Sequence, residues 1–518
     1  MTNLLTSNKS LGFSKGFILL ILILVLLADR AISLYYFGFI YTDIDQLILW
    51  NGAVDYSHGI FHEPFFYGQP YNYMLESVIA VPLLHLNVPV YQALPAATSL
   101  IATLPFIGLA LFLHKKGKFF WACLCLVLPV LLPLEYNFLT SISRGFVQAH
   151  LFIPLLFIPL FNPENKKNIT LLFIASSICF IANQSSILLI FPIFMYVASF
   201  HYKSIYFYRN ALWVFPFFVL DFIFKFYYKI HPEKVLHNIS GVRLDGKKFI
   251  ESISSSNTFE NLLPFTTTGG FYYPLIFIVL AIITYKKGAK KEFIFILSAI
   301  FIILISFAIP KVQDPYPLEN AGIFFSSSRF YLLIPLLLII SAFMVLRNYK
   351  VKSYVSFILI AICSFSVFIK NMPIQETIDK TVKETSFPIA KNQDLVSRAV
   401  NLKTIISENN VDLIVFGMSY GWNWNNLFDS YALYPLVIDR MHQTKKPIAV
   451  NITGDRRSWQ YENSESSNRI LLIDTYIEEQ LLKTLDYDTI GNSYILIKNN
   501  KTNTSELFEK LNCKFGNS

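Results

Sequence analysis

Long apolar runs, separated by short polar segments, fill the first 370 residues of this 518-residue chain. The chain is 54% hydrophobic and 15% charged, whereas about a quarter of the residues of a soluble domain are charged. Inside a bilayer only helices and closed barrels satisfy their own backbone polar groups, and about 20 apolar residues span it as a helix. The sequence therefore predicts a polytopic α-helical membrane protein. Eleven spans are predicted, several of them short: 17–38, 91–113, 118–134, 148–161, 169–182, 185–200, 211–227, 271–285, 292–309, 329–346 and 353–369.

Lysine and arginine are concentrated in short segments between these runs. The formal net charge is +9, but basic residues in short loops orient helices by remaining on the cytoplasmic side. The basic balance thus indicates membrane topology, and no nucleic-acid partner is expected. The five cysteines show no paired spacing suited to a disulfide framework or a zinc site. The clusters predicted to be cytoplasmic are 114–118, 162–168, 201–209, 285–292 and 347–352, together with Lys9 and Lys15.

The segment 74–88 is apolar enough to be mistaken for a further span. If it crossed the membrane, the 114–118 cluster and every later cluster would change sides. We therefore expect 74–88 to lie along the membrane surface. Residues 39–90 then form a large first extracytoplasmic loop of a protein in the inner (cytoplasmic) membrane.

The pattern changes after Met372, where long apolar runs end. Short apolar runs at 411–417, 446–452, 469–475 and 493–499 alternate with polar, helix-like segments. This alternation is typical of strands and helices in a small α/β domain. Residues 1–370 are therefore predicted to form a transmembrane module and 371–518 a soluble α/β domain, which the same topology places on the extracytoplasmic side.

Two carboxylates, Asp43 and Asp45, follow directly on the first predicted span. An acid at this position has left the hydrocarbon but remains beside lipid head groups. It could act as a general base toward an acceptor hydroxyl or amine, or hold a divalent cation against a phosphate. The alternative is structural, because Asp is a common N-cap and a helix is predicted from Gln46.

The segment "SHGIFHEPFFYGQPYNYMLES" (57–77) brings further polar groups into the same loop. His58 and His62 have a spacing that could present two imidazoles to zinc, but Gly59 and Pro64 interrupt any helix there. No metal ligand set is therefore assigned. The aromatic residues of the segment could form an interfacial belt, whereas Gln69 and Glu76 are not needed for anchoring.

Two arginines, Arg144 in "LTSISRGFVQAH" and Arg329 in "FFSSSRFYLLIP", lie at the outward starts of predicted spans. A guanidinium at head-group level offers a bidentate donor to a phosphate of a lipid carrier. Each could instead be a snorkelling side chain that anchors a helix end.

The order of an opening helix, "TDIDQ", "HGIFHEPFFYGQPYNYMLES", "VPVYQALPAATSLIATLPFIGLALFLHKKG" and "SSRFYLLIPLLLII" resembles the GT-C superfamily of integral-membrane glycosyltransferases. The similarity is to its bacterial branch of protein O-mannosyltransferases and aminoarabinose transferases, and it covers the first 370 residues. It implies juxtamembrane helices in the first outward loop, Asp45 as the catalytic acid and Asp43 as its companion. Gln46 stands where the family usually has Glu.

The same resemblance implies Arg329 as a ligand of the carrier phosphate and, more loosely, Arg144. It implies transfer of a sugar from a polyprenyl-phosphate donor to a lipid, glycan or protein acceptor on the extracytoplasmic face, without a defined cofactor beyond a possible divalent cation. Two alternatives remain open from the sequence: a transporter or flippase of a lipid-linked glycan, and a catalytically inactive glycan-binding relative. The residues expected to shape the substrate pocket are Glu63, Tyr67, Gln69, Tyr71 and Glu76.

Overall fold

A computed structural model describes most of the chain. The described residues are 7–235, 243–255, 272–313, 322–324, 326–349, 354–385, 388–417, 424–438, 449–452, 468–474, 482–491 and 494–498.

Helices dominate the first 370 residues. In chain order they are α1 (Ser7–Ser33), α2 (Ile44–Ser57), α3 (Leu75–His85), α4 (Val90–Lys115), α5 (Phe119–Leu131), α6 (Leu134–Leu139), α7 (Ile153–Phe161), α8 (Lys166–Ala182), α9 (Ile187–His201), α10 (Ile205–Asn210), α11 (Phe215–Ile230), α12 (Gly246–Ser254), α13 (Tyr272–Lys286), α14 (Lys290–Ser306), α15 (Pro310–Gln313), α16 (Ser326–Phe330), α17 (Ile334–Leu346) and α18 (Tyr354–Asn371).

Each of the eleven predicted spans coincides with a helical segment, but not each is long enough to cross alone. Within the described ranges, five segments are long and apolar enough to cross a membrane: Lys15–Gly38, Val90–Lys115, Gln184–His201, Ile205–Ile230 and Ser327–Leu346. A sixth arises if Ile358–Asn371 and Ile374–Lys383, bent by 52°, form one broken span. The chain is thus a polytopic helical membrane protein, and the count of eleven spans stays a prediction.

The membrane helices enclose one large apolar core. Leu26 of α1, Leu126 of α5, Leu189 of α9 and Leu337 of α17 are fully buried in it. Burial of such leucines between helices, rather than against lipid, requires close packing of the helix surfaces. Helix α9 packs along α14, and α4 packs along α5. This core supports the polar segments at the helix ends.

The segment 39–90 contains the two short helices α2 and α3. Helix α3 has 11 residues, which at 1.5 Å per residue is about 16 Å and too short for a hydrocarbon layer of about 30 Å. The length of α3 agrees with the prediction that 74–88 does not cross. Helix α2 begins after Asp43, whose side chain accepts a hydrogen bond from Gln46 N as the N-cap.

The carboxyl-terminal part contains a five-stranded mixed sheet with helices on one face. Each of the four predicted apolar runs contains a strand, and Tyr487–Ile490 is a strand that the pattern did not reveal. The elements are α19 (Ile374–Glu384), β2 (Ala390–Lys391), α20 (Asn392–Asn409), β3 (Leu413–Phe416), α21 (Trp424–Leu433), β4 (Ala449–Ile452), β5 (Arg469–Ile473), β6 (Tyr487–Ile490) and β7 (Tyr494–Lys498). The sheet order is β4-β3-β5-β7-β6, in which β3 is parallel to β4 and β5, and β7 is antiparallel to β5 and β6.

Side chains alternate between the two faces of this sheet, as the period of two requires. Ile414 and Phe416 face α20, α21 and the segment 39–90, where they share a core with Leu47, Trp50 and Phe66. Leu413 and Val415 point to the opposite face. The sheet therefore packs through its helices against α2.

A two-stranded ladder also joins these parts of the chain. Strand β1 (Tyr41–Thr42) pairs antiparallel with β2, so that Tyr41 lies opposite Lys391 and Thr42 opposite Ala390. Asn392 extends the ladder, since its backbone N–H donates to Ile40 O at 2.7 Å and its side-chain amide donates to Phe39 O at 2.9 Å. The backbone immediately before Asp43 is thereby fixed to the start of the carboxyl-terminal part.

Candidate active site beside the first membrane span

Asp43 is the N-cap of α2, Asp45 lies in its first turn, and both approach Arg144. The Oδ2 atom of Asp43 is 3.3 Å from Arg144 Nε, and the same Nε donates to Asp45 Oδ2 at 3.1 Å. Arg144 Nη2 also donates to Asp45 Oδ2. Asp43 is buried, whereas the Asp45 side chain is 33% exposed. Of the two acids, Asp45 is thus the one that a substrate can reach.

Asp43 also caps a helix, which is the structural role that the sequence left open for it. Its Oδ1 atom caps α2 by accepting from Gln46 N at 2.8 Å, while Oδ2 faces Arg144. The helix begins at Ile44 rather than at Gln46. The pKa of Asp43 is raised to about 6, because burial and the neighbouring Asp45 raise it by more than Arg144 lowers it.

Gln46, which replaces the usual Glu of the acidic motif, is fully buried and uses both ends of its amide. The Nε2 atom donates to Thr42 Oγ1 at 2.8 Å, and the Oε1 atom accepts from Ser143 N at 2.8 Å. A carboxylate could not donate to Thr42 in this way. Gln46 therefore joins α2 to the segment that carries Arg144, and a second charge is not needed for that role.

Arg144 lies between two aromatic rings. Its guanidinium carbon is 5.2 Å from the ring centroid of Phe146 and 4.9 Å from that of Phe324, both within the range of cation–π attraction. The Arg329 guanidinium lies 4.8 Å from the same Phe146 ring. The fold thus brings both arginines to the Phe146 ring, although they are 185 positions apart in the sequence.

Lys311 of α15 adds a third cation, which the sequence reasoning missed. Its Nζ atom is 5.6 Å from the ring centroid of Tyr71. Burial lowers the pKa of Lys311, and the positive charge of the neighbouring Arg329 lowers it further. Arg144, Arg329 and Lys311 form what we call the cationic group. A signal for Lys311 was present, because a lysine in a predicted outward loop is unusual under the positive-inside rule.

Glu76 holds the loop that presents Arg144. Its Oε2 atom accepts from Gly145 N at 3.2 Å, and burial raises its pKa to about 7. Gly145 has φ = +78°, and a Cβ atom there would lie 2.7 Å from Gln148 Nε2. On the other side of the loop Asn183 donates to the carbonyls of Gly145 and Phe146 at 3.0 and 3.1 Å. The position of Arg144 is therefore set by backbone contacts on both sides.

Tyr67 and Glu63 belong to a neighbouring buried cluster. Tyr67 donates to Asp55 Oδ2 at 2.9 Å, and Tyr434 from the carboxyl-terminal part donates to Asp55 Oδ1 at 3.1 Å. Glu63 Oε2 accepts from Gly68 N and from Tyr228 Oη, each at 3.1 Å. These bonds give both residues partners inside the protein.

Gln69 is 7% exposed, and its backbone N–H closes a turn on Phe66 O at 2.9 Å. The structure thus brings Asp43 and Asp45 to Arg144, holds Glu76 against the neighbouring Gly145, and brings Arg329 and Tyr71 near through the cationic group. The roles of Tyr67, Glu63 and Gln69 in a substrate pocket stay predictions.

The two histidines of the segment 57–77 lie near protein oxygen atoms. His58 Nδ1 lies 2.8 Å from Val54 O, whereas His62 Nε2 lies 3.7 Å from Asp55 Oδ2. In the part of the chain that the structure describes, no group of three or more His, Cys, Asp or Glu side chains is placed to hold a metal ion.

Comparison with known proteins supports the fold. Neither a protein-family model nor a curated protein sequence matches the chain. Among solved structures, the crystal structure of ArnT from Cupriavidus metallidurans in the apo state is similar, with a TM-score of 0.52 and 10% sequence identity, over 92% of this chain and 97% of ArnT. The chain has the fold of ArnT. The resemblance predicted from the sequence is therefore confirmed at the level of the fold.

Proposed function

We propose that the chain is a membrane glycosyltransferase that moves a sugar from a polyprenyl-phosphate carrier to an acceptor on the extracytoplasmic face. One observation carries the proposal. Arg144 contacts the exposed carboxylate Asp45 and, through Phe146, adjoins Arg329. An accessible base and a group of phosphate-binding cations thus lie side by side, as transfer from a phosphate carrier requires.

In the proposed reaction the acceptor attacks the anomeric carbon of the sugar. The bond from the acceptor oxygen or nitrogen to that carbon forms as the bond from the carbon to the phosphate oxygen breaks, and the polyprenyl phosphate leaves with the electron pair. Asp45 takes the proton from the acceptor, which is the role of a general base. Its 33% exposure supports this role.

The leaving phosphate gains one negative charge as it departs from the sugar. The cationic group is suited to stabilise that charge, because guanidinium groups donate paired hydrogen bonds to phosphate oxygens. Charged donors placed where charge develops lower the barrier most when water is excluded. Arg144 is 5% exposed, so most water is excluded from its guanidinium.

The test is sugar transfer in proteoliposomes that contain the full chain and a polyprenyl-phosphate sugar. Asp45→Asn should lower the turnover rate by about 100-fold or more, because the variant lacks the base. Asp379→Asn, a change of the same kind at a half-exposed position of α19, should leave the rate unchanged. Unchanged turnover with Asp45→Asn, in protein that unfolds at the wild-type temperature, would reject the assignment.

The same preparation separates the other function classes. An enzyme consumes the lipid-linked sugar, a flippase moves it across the bilayer without consuming it, and a binding protein does neither. The buried ions of the first span do not favour transport, because Asp29 of α1 and Lys370 of α18 are paired with one another at 2.7 Å.

A further inference from the structure

A second charged site lies at the end of α4 and α17 remote from Asp45. It is a surface-open cavity of about 280 Å³ between the end of α4, the start of α5 and the end of α17. Cations line one side and apolar side chains the other. The lining includes Leu113, Lys116, Lys118, Phe161, Phe343 and Arg347.

The three cations make hydrogen bonds that leave positive charge in the cavity. Lys116 donates to Asn162 Oδ1 at 3.0 Å and Lys118 donates to the carbonyl oxygen of Arg347 at 3.2 Å, so both ammonium groups contact neutral oxygens. The Arg347 guanidinium is paired with Glu292 at 2.8 Å. An ammonium carries three N–H donors. Lys116 and Lys118 can therefore contact an anion without giving up these partners.

The apolar side of the cavity is a packed aromatic wall. Phe161 stacks on Phe112 with the ring centroids 5.0 Å apart and meets Phe343 edge to face at 5.3 Å. Trp121 packs on the other edge of Phe343 at 5.6 Å. Such a wall suits a hydrocarbon chain, and the cations at its rim suit a phosphate.

We infer that this cavity binds an anionic phospholipid, with its phosphate at Lys116 and Lys118 and an acyl chain along Phe161 and Phe343. Basic pockets between membrane helices at the cytoplasmic boundary attract anionic head groups, each lysine adding to the attraction. The predicted topology places this end of α4 and α17 at that boundary. Inorganic phosphate carries the same anionic oxygens as the head group, but it has no hydrocarbon chain to pack against the aromatic wall.

Helix capping alone does not account for the arrangement. Lys118 does satisfy a carbonyl at the end of α17, and Lys287 does the same for Val345 O at 3.1 Å. Positive side chains at a helix carboxyl end are favourable in any case. Lys116 makes no such contact: its partner is Asn162, beyond the end of α7. Its charge is favourable at the end of α4 and agrees with a cytoplasmic loop, but neither of these accounts for the aromatic wall beside it.

The test titrates the full-length protein in detergent with short-chain phosphatidylglycerol or phosphatidylcholine and counts bound lipid by native mass spectrometry. The wild type should bind phosphatidylglycerol about tenfold more tightly than phosphatidylcholine. The double variant Lys116→Gln, Lys118→Gln should lose this preference. Glutamine amides remain hydrogen-bond donors, so the variant removes the charge and keeps a polar N–H group at each position.

The matched control is Lys286→Gln, Lys290→Gln, which removes the same charge from exposed positions outside the cavity. It should retain the tenfold preference. A preference that survives in the cavity variant, or that disappears equally in the control, would overturn the inference. Complete displacement of phosphatidylglycerol by an equal concentration of inorganic phosphate would show that the cavity takes free phosphate, and this would overturn it as well.

Discussion

At the scale of single residues, Glu76 joins the segment 39–90 to the loop that presents Arg144. Its carboxyl group is fully buried and accepts the N–H of Gly145. Burial raises the pKa of Glu76 from 4.5 to about 7. Between these two values the folded protein binds more protons than the unfolded chain, so that the free energy of unfolding falls as the pH rises through the window.

Replacing Glu76 by Gln should remove this pH dependence. The wild type should lose at most about 3 kcal/mol of stability between pH 4.5 and 7 through this group, whereas the variant should lose none through it, since an amide oxygen can still accept from Gly145. Thermal unfolding measured from pH 5 to 8 tests this. Parallel pH profiles for the two proteins would contradict the prediction.

The acids and arginines of the site could be predicted from the sequence because charged side chains beside a membrane span are costly and therefore few. The role of Gln46 could not, since it depends on a hydrogen bond to Ser143, 97 residues later. The place of Lys311 likewise depends on the fold, which brings it to Tyr71 and Arg329. Sequence pattern identifies chemical types at a site, whereas distant partners appear only in the folded chain.

At the scale of elements, the ladder between β1 and β2 ties the first membrane span to the carboxyl-terminal part. Asn392 alone makes two of its hydrogen bonds, to Ile40 O and Phe39 O. The apolar core shared by α2, α20 and α21 lies next to it. The ladder is short, so we expect it to depend on each of these bonds while the core maintains the overall fold.

Asn392→Ala should therefore loosen residues 39–42 with little change in global stability. The loss of one side-chain hydrogen bond costs about 1 kcal/mol, and hydrogen exchange of the Thr42 region should become faster by about fivefold. Exchange measured by mass spectrometry on the full-length protein tests this prediction. Asn409→Ala, which removes a bond to Ile405 O within one helix, should leave exchange at 39–42 as it was, and equal exchange in both variants would refute the role of the ladder.

Apolar periodicity predicted the membrane helices and four strands of the sheet, because both depend on local pattern. The ladder was not predictable, since two-residue strands have no sequence signature and the partners are far apart. Strand β6 was not predicted either, because its residues do not form an apolar run. They are half-buried or exposed: Tyr487, Asp488, Thr489 and Ile490.

At the scale of the whole molecule, polar residues of α1 fix the first span to its neighbours. Asp29 is fully buried, pairs with Lys370, and accepts from Asn137 at 2.9 Å. Arg30 donates to Thr140 Oγ1 at 2.8 Å. Buried charges in a membrane protein require such partners. The sequence did not reveal the pair, because 341 positions separate its members.

The orientation of the whole molecule is predicted from charge and can be measured. In a variant with Cys513 replaced by Ser, Ile60→Cys and Lys115→Cys each provide one exposed thiol, since the cysteines of the described residues are buried. A membrane-impermeant maleimide should label Ile60→Cys in intact spheroplasts, and Lys115→Cys only after lysis. The reverse pattern would place Asp45 on the cytoplasmic side and exclude the proposed reaction at the outer face.

The pairing of β1 with β2 also has a consequence for biosynthesis. Asn392 closes onto the carbonyl of Phe39 across 353 positions of sequence. The ribosome therefore finishes the entire helical bundle before the strand preceding Asp43 meets its partner. A nascent chain stopped within the bundle would be inserted in the membrane but incomplete at its acidic centre, because the site needs Asn392 to be translated first.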